Sequence, residues 1–198
     1  MSKSLDLYLV SNRKNRSVLF SPPEGLKNIE SESDDRVRRF IRYLVRHSNC
    51  VVAWVGRVMK AGHGYYVQLE DKIDPVERIL KAMAGASSFV VHHGKLYAEG
   101  DAPSEFERIL KRQRRKHIFW FSIDLIVSPI GVLLTPIPGP NLFFYYPFLR
   151  LLSHYRAICG TASGLHSKNI EFKSLPEPSG VEDNLPGLAR FLERMDSE

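Results

Sequence analysis

Apolar and polar residues alternate near the start of the chain in a pattern that predicts strands. Leucines alternate with Asp6, Tyr8 and Val10 over residues 5–11, and a second apolar run, RSVLFS, covers residues 16–21. The polar NRKN between them is typical of a turn, so the two runs predict a β-hairpin. Residues 87–100 predict a second hairpin that turns near His93 and Gly94.

Apolar residues at helical spacing predict the rest of the fold. Residues 33–59 keep a helical stripe, although VVAWV at residues 51–55 is equally consistent with a strand. Asp74 and Pro75 mark the start of a short helix that ends near Gly85. Residues 161–169 predict a loop, residues 170–175 a strand and residues 183–195 an amphipathic helix. The pattern predicts an α+β fold with a small, mostly antiparallel sheet built from two hairpins and packed by helices. It divides into an α+β domain (residues 1–101), an apolar helical hairpin with a basic collar (102–160) and a C-terminal segment (161–198).

The longest apolar stretch, residues 118–137, is a marginal membrane span. It is 20 residues long, about 30 Å as a helix, and twelve of its residues are Ile, Leu, Val or Phe. These twelve contribute about −4 to −7 kcal/mol to insertion, and Asp124 offsets up to about 3 kcal/mol of that. The run from residue 142 is shorter still, because Arg150 interrupts it. Neither half predicts a stable span by itself.

The two halves are more plausible as an antiparallel pair of helices. The bend falls at Pro138, Gly139, Pro140 and Asn141, and Asp124 and His154 each lie 15 residues from Gly139. Folding there would place Asp124 level with His154, with Arg150 one turn away on the same face. We therefore predict a buried or intramembrane polar cluster of Asp124, Arg150 and His154. A charge pair that fixes the helix register is the favoured interpretation of this cluster, and a proton-binding site is the alternative.

A basic collar precedes the apolar stretch and suggests a lipid-headgroup surface. The collar comprises Lys111, Arg112, Arg114, Arg115 and Lys116, and the formal net charge of the chain is +6. Both ends of the hairpin would then stay on one side of a membrane. The alternative is a soluble helical hairpin with a buried charge pair and a solvated collar.

Residues 138–160 resemble the mitochondrial potassium/proton exchange-related family. The resemblance rests on Pro138-Gly139-Pro140-Asn141, Tyr145 and Tyr146, Arg150, residues 153–157 (SHYRA) and Gly160, and residues 5–21 are also similar to the opening of that family. The resemblance implies a membrane-associated protein linked to potassium/proton exchange, as a transporter component or a regulator. It supplies no catalytic residue. Membrane lipid, further copies of the chain and a transporter are the partners expected from it.

Other chemistry is weakly represented in the sequence. His92 and His93 are adjacent, so on a strand they would point to opposite faces, and we interpret them as surface residues. No nucleophile, phosphate-loop or metal motif is present, so we expect no enzyme activity, no cofactor and no metal. The arginines of residues 36–46 form a basic stripe without interleaved aromatic residues, which makes nucleic acid an improbable partner. Cys50 and Cys159 lie far apart and are interpreted as reduced core thiols.

The first residues show neither the apolar run of a secretory signal nor an acid-free transit peptide. We therefore expect a bacterial type of family member at the inner membrane, or a mitochondrial inner-membrane protein in a eukaryote. The alternative function is a soluble, non-enzymatic interaction protein whose helical hairpin packs in its own core or on a partner.

Overall fold

The computed structural model describes residues 4–11, 16–26, 29, 39, 42–43, 45–46, 74–94, 100–133, 142–175 and 185–197, and the side chains of residues 128–133, 142–149 and 196–197 are not described. The described part includes four strands and four helices of nine or more residues. The strands are β1 (Ser4–Ser11), β2 (Ser17–Phe20), β3 (Ser88–His93) and β4 (Ile170–Ser174). The helices are α1 (Pro75–Met83), α2 (Asp101–Leu133), α3 (Leu142–His166) and α4 (Leu188–Ser197). The predicted α+β class is confirmed.

The sheet has the order β2-β1-β3-β4 and is mixed rather than mostly antiparallel. β1 and β2 form the predicted antiparallel hairpin, but β3 pairs in parallel with β1 on one edge and with β4 on the other. The expectation of a mostly antiparallel sheet built from two hairpins is therefore wrong. β1 and β4 occupy both edges of β3, and the predicted return strand after Gly94 lies outside the described residues. Parallel neighbours need long crossovers, which helices supply here between β3 and β4.

Alternation along β1 explains why one face of the sheet is buried. Leu5, Leu7 and Leu9 point into the core, where α1 and the first half of α2 pack on them. Burial of such leucines stabilises the fold by about 1.5–3 kcal/mol for each side chain. α4 completes the core through Phe191, whose ring lies 5.2 Å from that of Phe20. The predicted terminal amphipathic helix is confirmed, and the structure shows that it packs on the core.

The start of α1 follows the sequence signals. Asp74 Oδ1 accepts a hydrogen bond from the backbone N–H of Val76 at 2.9 Å, and Pro75 occupies the first turn, where a missing N–H costs nothing. The helix ends before Gly85, as predicted. The predicted helix over residues 33–59 lies almost entirely outside the described residues.

α3 continues through residues 161–166, where the sequence predicts a loop. The helix carries Gly160 and Gly164 in its interior because it passes very close to its neighbours. A side chain at residue 160 would overlap the backbone of Leu80 in α1, and one at residue 164 would overlap Met83 and Leu110. These glycines serve helix contact rather than helix termination.

α2 and α3 form the predicted antiparallel helical pair. His117 and Asp124 of α2 contact His154 of α3, while Leu110 of α2 lies beside Gly164 of α3. The two helices therefore run in opposite directions. The predicted bend at Pro138, Gly139, Pro140 and Asn141 lies outside the described residues. None of the helices in the described part combines the length and the apolarity that crossing a bilayer requires.

Candidate functional site at the junction of three helices

Core-facing positions of α2 change from apolar to polar along the helix. Phe106 and Leu110 are buried in the core, and Gln113, His117 and Asp124 continue the same face at spacings of three, four and seven residues. All three residues are buried. α3 brings Ser153 and His154 against this face, and α1 brings Glu77. A buried polar cluster therefore lies where α1, α2 and α3 meet.

The structure brings together the three residues that the helix register predicts. Asp124 Oδ2 lies 3.5 Å from His154 Nε2 and 3.6 Å from Arg150 Nε. Asp124 and His154 are buried, whereas the side chain of Arg150 is about one third exposed, at 37%. Arg150 also lies over the ring of Trp120, 5.3 Å from its centre. The predicted meeting of Asp124 with His154 and Arg150, based on equal sequence distances from Gly139, agrees with the structure. Gly139 itself lies outside the described residues.

His117 is the central residue that the sequence does not reveal. Its Nδ1 lies 3.0 Å from His154 Nδ1, so one of these nitrogens carries a proton and donates a hydrogen bond to the other. His117 belongs to the stretch RRKH, which resembles the end of a solvated basic run. The available signal is its spacing, because it lies four residues after Gln113 and seven before Asp124.

Glu77 is the second residue missed by sequence analysis, and it is held by contacts from two helices. The Ser153 hydroxyl donates a hydrogen bond to Glu77 Oε1, and Lys81 Nζ lies 3.1 Å from the same oxygen. Burial opposes the ionisation of Glu77, but Lys81 and Ser153 more than offset it. The pKa of Glu77 consequently lies below its usual value.

Both histidines of the cluster are held neutral. Burial is the largest cause and lowers the pKa of His117 from 6.5 to about 4, against the opposing charge of Glu77. Burial also lowers the pKa of His154, although Glu77 and Asp124 act in the opposite direction. Neutral imidazoles can accept a proton or bind a metal ion through an unprotonated nitrogen.

Several polar atoms of the cluster remain without a hydrogen bond. Among the described residues, these buried atoms are Nε2 of His117, Nε2 of His154, Oδ2 of Asp124 and Oε1 of Gln113. Most buried polar atoms in native proteins have a hydrogen-bond partner, so four unsatisfied atoms in one small region make this cluster the candidate site.

The basic collar is only partly available to solvent. Lys116 Nζ pairs with Asp74 Oδ2 at 3.0 Å, and an Arg112 N–H donates to the Ser17 carbonyl at 3.3 Å. Lys111 pairs with Glu107 on its own helix. Arg114 and Arg115 are exposed. The collar therefore includes residues that fasten α2 to β2 and α1, as well as residues that face outward.

An exposed apolar surface follows the collar on the outer side of α2 and α3. It comprises large apolar side chains that are 39–73% exposed: Ile118, Phe119, Trp120, Leu125, Ile126, Val127, Leu152 and Tyr155. Contiguous surfaces of this kind are uncommon on monomeric proteins and usually mark interaction sites.

Strand β3 does not support the interpretation of His92 and His93 as turn residues on the surface. His92 stacks on Tyr8 at 4.7 Å and lies 3.3 Å from Asp6 Oδ1, while His93 is buried. They point to opposite faces of the sheet, as adjacent strand residues must. This pair forms no ligand cluster in the described part of the chain.

Comparison with known proteins agrees with the resemblance at residues 138–160. A family model described as mitochondrial K+-H+ exchange-related matches residues 15–166, which is 152 of the 198 residues. Neither a curated protein nor a solved structure gives a significant match. The matched region contains all three helices of the polar cluster and the exposed apolar surface. The chain therefore belongs to the mitochondrial K+-H+ exchange-related family.

Proposed function

We propose that this protein is a membrane-associated, non-enzymatic component of potassium/proton exchange, acting as a transporter component or as a regulator. The observation that carries the proposal is the abrupt change along the outer surface of α2, from basic side chains to apolar ones. Membership of the family supplies the link to potassium/proton exchange. The surface supplies the reason to place the protein on a membrane.

The order of the two surfaces suits a bilayer with anionic headgroups. Exposed Arg114 and Arg115 precede the apolar side chains of α2, Ile118 to Val127, by about one to three and a half helical turns, about 5–20 Å along the helix axis. A helix pair that lies in the interface can place such basic side chains among the headgroups and the apolar ones at the boundary with the acyl chains. Trp120 lies at the boundary, where amphipathic rings are preferred at membrane interfaces.

The inner face of the same helices is already used. Gln113, His117 and Asp124 are buried, and His117 and Asp124 contact His154 of α3, so these side chains are not available to a bilayer. Only the outer face remains for docking, and that face carries no acidic side chain between residues 111 and 123. A shallow, sideways insertion of the helical pair is consistent with this arrangement.

The expected affinity is moderate and depends on two signals. Phe119, Leu125 and Ile126 are more than half exposed, and transferring them to acyl chains contributes about 1–1.5 kcal/mol each. Arg114 and Arg115 contribute about 1 kcal/mol each on an anionic surface. The sum of about 6 kcal/mol corresponds to binding in the range of tens of micromolar lipid.

Flotation with lipid vesicles tests this proposal. The protein is expected to float with vesicles that contain cardiolipin or phosphatidylserine, and to float less with phosphatidylcholine alone or at high salt. Arg114→Glu/Arg115→Glu should weaken binding by at least about 30-fold, because loss of the two arginines removes about 2 kcal/mol and the two glutamates add repulsion from the anionic lipid. The charge-matched control Lys168→Glu/Arg190→Glu, on exposed positions elsewhere, should bind like the wild type.

A second pair of variants isolates the apolar contribution. Phe119→Ser/Ile126→Ser should abolish flotation, whereas Phe119→Leu should preserve it. Failure of the wild-type protein to float with any vesicle, or unchanged flotation of both double variants, would show that this surface does not bind membrane.

The alternative, a soluble interaction protein, is favoured by one specific observation. Phe106, Ile109 and Leu110 bury the first half of α2 in the core of the domain itself. Under this alternative the protein remains in the soluble fraction after cell lysis, and the exposed apolar surface covers a protein partner. Fractionation followed by alkaline carbonate extraction distinguishes the two functions.

A further inference from the structure

We propose that Glu77, His117 and His154 form a binding site for one divalent transition-metal ion of the zinc class. Each residue comes from a different helix, α1, α2 or α3, and each side chain is buried. One donor atom of each lies within 4.8 Å of the other two. Two imidazoles and one carboxylate are a common donor set for zinc and for non-haem iron.

The distance between the two imidazoles fits a shared ion. The Nδ1 atoms lie 3.0 Å apart. Two nitrogens that bind zinc at 2.0–2.1 Å with tetrahedral angles lie about 3.3 Å apart, so a small adjustment would accommodate the ion. With a metal bound to both Nδ1 atoms, each neutral ring would carry its single proton on Nε2, so only the ring that now donates from Nδ1 has to change its tautomer.

Asp124 provides the outer partner that a metal-bound histidine usually requires. Its Oδ2 lies 3.5 Å from His154 Nε2, and both atoms lack a hydrogen bond among the described residues. If Nδ1 of His154 binds the metal, Nε2 carries the proton and can donate it to Asp124. A carboxylate that receives this N–H orients the ring and increases its basicity as a ligand. Asp124, which the sequence predicts to lie beside His154, would thereby position the imidazole ring of His154 for metal binding.

Lys81 opposes the charge of an incoming cation. Its ammonium lies 3.1 Å from Glu77 Oε1, so in the absence of a metal it neutralises the buried carboxylate. A divalent ion would have to share Glu77 with this ammonium. The geometry therefore points to a site of moderate affinity, in which removal of the lysine charge strengthens metal binding.

Sequence motifs cannot reveal this donor set. Glu77, His117 and His154 are separated by 40 and 37 residues, so no short spacing connects them. The expectation of no metal site was based on the absence of such spacings. The three ligands meet only because the glycines of α3 let that helix approach α1 closely.

Cobalt titration of the full-length, untagged protein after EDTA treatment tests the site. Co²⁺ is the probe because imidazole and carboxylate ligation in a low-symmetry site gives visible absorption bands. We expect saturation at one equivalent and displacement of Co²⁺ by Zn²⁺. His117→Gln and His154→Gln should each weaken binding by at least about tenfold, whereas His166→Gln, which removes an exposed histidine, should not.

Two further variants keep the test independent of folding defects and of other ligands. Cys159→Ser should bind like the wild type, which excludes the free thiol as the ligand. Lys81→Met should bind Co²⁺ more tightly, an effect that a merely misfolded protein would not show. Absence of visible bands in the wild type, or binding that survives in His117→Gln/His154→Gln, would overturn the proposal. Neither result bears on vesicle flotation, so this site and the membrane surface are tested separately.

Discussion

Acidification from pH about 7.5 to about 5 should destabilise the metal-free protein by about 2 kcal/mol through His117 alone. The unfolded chain gives this histidine its ordinary pKa of 6.5, whereas burial lowers the pKa to about 4 in the folded protein. Between these two values the unfolded chain binds a proton that the folded protein does not. The free energy of unfolding therefore falls as the pH decreases through that window.

The magnitude follows from the two pKa values. A difference of about 2.5 in pKa corresponds to about 3 kcal/mol once the pH is below both values. About 2 kcal/mol of this is already lost at pH about 5, because there the unfolded histidine is almost fully protonated and the folded one is almost neutral. His154, whose pKa is also lowered, adds a loss in the same direction. Glu77 acts at lower pH, because its pKa lies below the usual value of 4.5.

Urea denaturation in the presence of EDTA, followed at a series of pH values, measures this effect. His117→Gln keeps a polar side chain that cannot titrate, so its stability should decline less than that of the wild type over the same range. An equal decline in both proteins would show that titration of His117 does not cause the loss of stability. A titration midpoint above 6 for His117 in a nuclear magnetic resonance experiment would show the same.

Three further experiments test the packing and the charge pair, each read out by denaturation. Gly160→Ala should cost about 1–3 kcal/mol of unfolding free energy, because overlap with α1 outweighs a gain in helix propensity of about 1 kcal/mol. Gly100→Ala is the control and should be nearly neutral, because a methyl group there would meet no atom of the described residues within 4 Å. Equal stability of the two variants would contradict the close approach of α3 to α1. A double-mutant cycle with Asp124→Ala and Arg150→Ala should give a coupling of about 0.5–1 kcal/mol, since the arginine is partly exposed, and a coupling of zero would remove the pair as a determinant of register. Phe89→Ala should cost about 3–5 kcal/mol because this ring is almost completely buried in the sheet, and a loss below 1 kcal/mol would contradict that packing.

Local signals in the sequence were sufficient for several elements. Asp74 and Pro75 specify the start of α1, and the alternation of leucines specifies β1 and its hairpin with β2. The register of α2 against α3 could also be predicted, because two helices that fold back at one glycine place residues at equal distances from it side by side. Asp124 and His154, each 15 residues from Gly139, meet as this register predicts.

Other features depend on contacts between distant parts of the chain. The pairing of β3 with β1 and β4 is set by how the helices cross the sheet, which no local pattern specifies. Gly160 resembles a helix terminator in the sequence, but it provides room for α1. His117 resembles the end of a basic run in the sequence. Its burial depends on the packing of α1 and α3 against α2, which the local sequence does not specify.

Potassium-driven proton movement in membrane vesicles tests the proposed function most directly, in vesicles from cells that produce the wild-type protein, Phe119→Ser/Ile126→Ser or neither. A potassium gradient should drive proton exchange faster with the wild type, and the variant should return the rate to that of vesicles without the protein. Equal rates in all three preparations, with the wild-type protein present on the vesicles, would contradict a role in potassium/proton exchange.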